Sequence, residues 1–253
     1  MISEQTSIIP ASRFSNRAYN YQQYRPAYLT EIRTFLEEHL ALHQGDSIVD
    51  VGSGTGRFAE LFLRNGYAVT AVEPNDEMRE AAEKKLCSYR QFTSVAGTAE
   101  DTGLMPDSAN LITVAQAFHW MDIEAARKEF SKILTPNGKV ILVWTVRKTG
   151  TPFLHAYDQL KNQFRGKDMA SLINEYDIQS FYAPAKARQH SFLHSSWIDF
   201  DGLKGLLLSS SGIPLPGQAQ YDTMISALVQ LFVACNRNGF VEMEYETKLY
   251  WSE

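Results

Sequence analysis

From residue 26 to residue 147 the apolar positions alternate between a helical and an extended period. Leu29, Ile32, Leu36 and Leu40 share one face at helical spacing, with Pro26 read as the helix opening and Gly45 as its stop. Residues 47–51 form a β-branched run that ends in glycines. Residues 55–65 return to helical spacing through Phe58, Leu61 and Phe62 and close on Asn65-Gly66. A second strand is expected over 67–72. Asn75 or Asp76 then caps a helix bearing Met78, Ala82 and Leu86. Residues 92–96 and 111–117 read as third and fourth strands. Asp122 caps a helix whose face is Ile123, Ala126, Phe130 and Ile133, and the turn Pro136-Asn137-Gly138 leads into a fifth strand over 139–146.

Short strands that are apolar on both faces and joined by helices predict right-handed βαβ units around a parallel sheet. Beyond Arg147 the pattern changes. Residues 151–185 are helical and aromatic-rich, and 203–237 read as two helices around Pro214-Leu215-Pro216. Residues 189–198 and 240–250 resemble strands, the latter alternating through Val241, Met243, Tyr245, Thr247 and Leu249. The expected fold is α/β: a doubly wound, mostly parallel seven-stranded sheet with an antiparallel C-terminal strand.

Composition narrows the function classes. The 253 residues are 44% hydrophobic and 21% charged, ordinary for a folded domain, and they carry a net charge of −5. No block of Lys or Arg advertises nucleic acid as a partner. No apolar run approaches the roughly 20 residues of a membrane span, and no basic stretch precedes an apolar one at the start. Cys87 and Cys235 are too few for a disulfide framework, which points to a reduced, cytoplasmic setting. No Cys/His cluster stands at ligand spacing, so no metal is expected.

The chemistry centres on Asp50-Val51-Gly52-Ser53-Gly54-Thr55-Gly56. A strand running through such a turn into a helix presents bare backbone N–H groups at the positive end of the helix dipole. A dinucleotide site wants a third glycine one residue later, where this chain has Arg57. That residue argues against a dinucleotide-dependent oxidoreductase, and a P-loop fails for want of Gly-Lys-Ser/Thr. Glu73, at the end of the second strand, can accept hydrogen bonds from both hydroxyls of a ribose.

Over residues 10–147 these features resemble the class I S-adenosylmethionine-dependent methyltransferases. The likeness is to the branch with the type 11 methyltransferase domain, which includes the trans-aconitate methyltransferases. It rests on residues 49–56, on Val72-Glu73-Pro74-Asn75, on Gly97-Thr98-Ala99-Glu100, on Ala115-Gln116-Ala117-Phe118-His119-Trp120 and on the turn at 134–139. The resemblance implies that Gly52, Gly54 and Gly56 form the cofactor turn and that Asp50 orders it. It also implies that Glu73 holds the ribose, Met78 packs on the nucleoside, and Thr98 and Ala99 sit by the adenine edge. Gln116 then lies near the transferred methyl. The chain so divides into one domain over 1–253: an N-terminal lid over 1–26, a cofactor-binding core over 41–147, a helical substrate cap over 148–238 and a final strand over 239–253.

Methyl transfer from a sulfonium is largely a matter of placing a nucleophile in line. The expected reaction is transfer to a small-molecule acceptor at oxygen, a carboxylate oxygen included. A non-catalytic cofactor-binding protein is the alternative from another class. His119 has two readings: a base for a hydroxyl acceptor, or a histidine that shapes the pocket. Trp120 either stacks on substrate or packs. Tyr19, Tyr24 and Arg25 form a lid facing the substrate or belong to a frayed leader, and Arg147 faces an anion or solvent.

Overall fold

The computed structural model describes residues 20, 23–165 and 175–252. Their strands form one seven-stranded sheet of order β3-β2-β1-β4-β5-β7-β6. The strands are β1 (Ser47–Val51), β2 (Ala68–Val72), β3 (Phe92–Val95), β4 (Ala109–Ala115), β5 (Leu134–Arg147), β6 (Ala187–Ile198) and β7 (Val241–Ser252). The first five pair in parallel, and β7 runs antiparallel between β5 and β6. This is the expected sheet.

Helices cover both faces because the strands carry apolar side chains on both. One face packs Val114, Leu142 and Trp144 against Ala126, Phe130 and Ile133 of α4 (Ile123–Ile133) and against Ile178, Phe181 and Tyr182 of α6 (Glu175–Tyr182). The Tyr182 hydroxyl donates to the backbone carbonyl of Tyr250, so the phenol meets an acceptor where it would otherwise be orphaned. The other face packs Ile48, Ile141 and Val143 on α1 (Thr30–His39) and α2 (Ala59–Leu63). Side-chain caps fix helix entries: Asn75 accepts from the Met78 N–H to start α3 (Asp76–Leu86), and Asp122 accepts from Ala125 to start α4. Each cap is worth about 1 kcal/mol.

Two helix starts differ from the sequence reading. The first helix begins at Thr30, since Leu29 is extended (ψ 139°), and residues 26–29 are a strap outside it. The helix expected from residue 55 begins at Ala59, because Gly54 and Gly56 hold positive φ and the chain is still turning there. Beyond β5, α5 (Pro152–Phe164), α7 (Phe200–Leu208) and α8 (Tyr221–Cys235) share a third apolar cluster, with Leu154, Tyr157, Leu203, Leu207, Met224 and Leu228 at its centre. Within the 148–238 segment, β6 runs between these helices and forms the edge of the sheet.

Candidate functional site

The strand order reverses between β1 and β4, and open α/β sheets bind ligands at the carboxyl ends of strands flanking such a reversal. A cavity of about 260 Å³ lies there. Asp50, Gly52, Gly54, Glu73, Met78, Thr98, Ala99, Gln116 and Trp120 all line it. Residues drawn from four strand ends thus converge on one space.

The turn is built by steric exclusion. Gly52 has φ +65°, and a Cβ there would stand 2.5 Å from the Ala117 side chain, so only glycine lets the β1 and β4 ends approach. Gly56 does different work. It does not line the cavity; a Cβ there would meet Leu86 Cδ1 at 2.5 Å, which makes it the packing contact between the turn and α3.

Beneath the turn, Asp50 is fully buried, and its Oδ1 accepts from the Thr113 hydroxyl at 2.8 Å. Burial pushes its carboxyl up to about 7, with the Glu73 charge adding to the rise, while Thr113 and the Ala59 N–H oppose it. Glu73 is pinned from two sides. Its Oε2 accepts the Gly54 N–H at 2.8 Å and its Oε1 accepts the Asn75 N–H at 2.9 Å. Burial raises its carboxyl, and those two N–H groups and Arg79 hold it down. A carboxylate oxygen has two lone pairs, so each oxygen retains acceptor capacity for a ligand hydroxyl.

Gln116 closes the β4 end. Its φ of +62° is sparsely populated for a residue with a side chain. The conformation is held by its N–H to the Val143 carbonyl (2.9 Å) and by its side-chain amide to the Thr145 carbonyl (2.8 Å). Gln116 also lines a second cavity of about 220 Å³, so it stands where the two meet. That second cavity carries four cations, Arg25, Arg57, Arg147 and Lys161, and one carboxylate, Asp158. Arg147 pairs with Asp158 and lies 4.7 Å over the Tyr157 ring. Burial, with repulsion from Arg147, Arg25 and Arg165, pulls the Lys161 ammonium down to about 7, and Asp158 offsets part of this.

The methyltransferase domain family matches residues 49–142, the stretch that supplies the lining of the first cavity apart from Tyr28. A Schizosaccharomyces pombe protein described as a methyltransferase is 23% identical over 95% of this chain and 96% of its own. These comparisons support an S-adenosylmethionine-dependent methyltransferase whose methyltransferase domain lies over residues 49–142. Among solved structures, a protein of Anaeromyxobacter dehalogenans described as a type II methyltransferase shares the fold with TM-score 0.68 and 18% identity, covering 90% of this chain and 97% of that one. The geranyl diphosphate C-methyltransferase of Streptomyces coelicolor, solved with S-adenosyl-L-homocysteine, aligns at TM-score 0.50 and 16% identity over 88% of this chain and 78% of its own.

The cofactor of this methyltransferase is S-adenosylmethionine. The first cavity fits it: a glycine turn with no side chains in the way, a pinned acid with free lone pairs, and the apolar Met78 beside them. Other expected residues fall elsewhere. His119 lines neither cavity. Its ring lies 4.4 Å from that of Trp120 and edge-on to Trp144 at 4.9 Å, and burial pushes it down to about 4. Trp120 lines the cofactor cavity and not the cationic one. The Tyr24 ring lies on Gly205 of α7, in the third apolar cluster, and lines neither cavity. Tyr19 lies outside the described residues. Tyr28, Asp158 and Lys161 escaped the sequence reading. For the last two, one signal was present: on α5 they follow the apolar stripe of Leu154, Tyr157, Leu160 and Phe164 by a single position.

Among the described residues no helix is long and apolar enough to cross a membrane, and no three His, Cys, Asp or Glu side chains cluster to hold a metal.

Proposed function

We propose that this methyltransferase esterifies a small acid, transferring the methyl group to a carboxylate oxygen bound in the cationic cavity. The observation that carries this reading is the junction at Gln116: a cavity with four cations against one carboxylate opens beside the cofactor cavity. The cofactor supplies a methyl group already activated on a sulfonium. The chain supplies placement. Asp50, Gly52 and Gly54 shape the amino-acid end of the cofactor site, with Gly56 packing the turn. Glu73 takes the ribose, Met78 the nucleoside face, and Thr98 and Ala99 the adenine edge.

Arg25, Arg147 and Lys161 draw in the anion and screen its charge, and Asp158 orients Arg147. Gln116 orders the passage between the two sites. A carboxylate is already the nucleophilic form at neutral pH, so no base is required and His119 packs. Alignment of reacting groups is then the main source of rate.

The test has two stages. S-adenosylhomocysteine should raise the melting temperature where NAD does not. Mono-, di- and tricarboxylic acids are then incubated with methyl-labelled cofactor, and the product is expected to release labelled methanol in alkali, as an ester does. Label that survives alkali, or that enters only amines, would sink the carboxylate reading.

A further inference from the structure

Arg57 follows the glycine turn directly and lines both cavities, yet its Nη2 is directed at main chain. Nη2 donates to the carbonyls of Arg25 and of Pro26, the latter at 2.7 Å. Residues 26–29 form neither helix nor strand, so such carbonyls need partners from elsewhere. The same strap is held at its other end by aromatic packing: Tyr28 meets Phe58, the neighbour of Arg57, edge-on at 4.7 Å. On its far side the Arg25 side chain crosses to the end of α7, donating from Nε to the Ser209 hydroxyl at 3.0 Å. Ser209 is fully buried and itself donates to the Leu206 carbonyl at 2.7 Å, which fixes its position. One strap therefore joins the cofactor turn to the cap and walls both cavities.

We propose that Arg57 is a positioning residue for the acceptor cavity: it fastens the Arg25–Pro26 main chain to the glycine turn and thereby holds the Arg25 guanidinium, seated on Ser209, at the wall of that cavity. Its acceptor side rests on the carboxylate reading above; the fastening itself does not. A bulky cation at the place where a dinucleotide site has glycine thus has a mechanical role. Lysine would supply one point charge in place of a planar fork and would hold two carbonyls less well.

The experiment uses the full chain saturated with S-adenosylhomocysteine, which also reports folding, and succinate as the carboxylate probe in calorimetric titration. Arg57→Met and Arg25→Met should each weaken succinate by about fivefold or more. The double variant should lose no more than the worse single one, because both act through Arg25. Arg57→Lys should recover part of the loss. Hydrogen exchange of the amides of residues 27–32 should quicken about tenfold in Arg57→Met. Additive losses would mean that Arg57 touches the anion itself, and a parallel loss of S-adenosylhomocysteine affinity would assign it to the cofactor site; either overturns the proposal. If wild type binds the cofactor product but no carboxylate, the acceptor reading fails. Exchange then decides, and unchanged protection in Arg57→Met overturns the fastening.

Discussion

Glu73 Oε2 accepts the backbone N–H of Gly54 at 2.8 Å, so the acid ending β2 and the turn following β1 form one unit. The contact sets the carboxylate in the cavity wall while leaving lone pairs for a ligand. Glu73→Ala strands the Gly54 and Asn75 N–H groups as well as removing the acceptor proposed for the ribose. Affinity for S-adenosylhomocysteine should fall by about ten- to a hundredfold, the range of a charge-assisted hydrogen bond. Titration calorimetry checks this; unchanged affinity would take Glu73 out of the site.

Gly56 should behave unlike its neighbours in the turn. Gly56→Ala places a methyl against Leu86 and Ala82 at a φ of +71°. Overpacking and strain together should cost about 1–3 kcal/mol, seen as a lower melting temperature. Cofactor affinity measured well below that temperature should stay near wild type, since this glycine faces α3.

His119→Phe should keep kcat within about threefold, whereas loss of a general base costs a hundredfold or more. Its pKa is lowered from an ordinary 6.5 to about 4 in the folded protein. The unfolded chain therefore binds a proton first, and this residue's share of stability is lost as pH falls from about 6.5 toward 4. Acid melting curves of His119→Phe should be flatter than wild type across that window. A hundredfold rate loss would restore the base reading.

Lys161 joins pH to acceptor affinity. Its ammonium, lowered from 10.5 to about 7, is favoured by a bound anion. Affinity for the best acid of the carboxylate panel should weaken as pH rises through about 7 and beyond. Lys161→Met should weaken the acid at pH 6 and flatten the profile. It should also melt higher in the absence of acid, because the folded state no longer shelters an ammonium that the unfolded chain holds up to 10.5. An unaltered profile in the variant would remove Lys161 from acceptor binding.

Much of the fold was legible because its causes are local. Alternating apolar periods, the Asn75 and Asp122 caps and strands apolar on both faces each act within a few residues, and together they imply the wound sheet. The glycine turn and Glu73 were legible for a related reason: a ligand that approaches main chain needs glycine at set offsets, and the next strand end supplies the acid. The length of the turn was not legible, since positive φ at Gly54 and Gly56 delays α2 to Ala59.

The linear chain on its own determined the sheet and the cofactor class, and it named residues that the fold gathers around one cavity. Only the tertiary structure decided the cationic cavity, where Arg25, Arg57, Arg147 and Lys161 come from the strap, the turn, the end of β5 and helix α5. It also moved His119 and Tyr24 out of both cavities and gave Gly56 to packing. The physical reason is range. Backbone geometry and period are written in neighbouring residues, whereas a cluster of charges depends on where packing brings distant segments to rest.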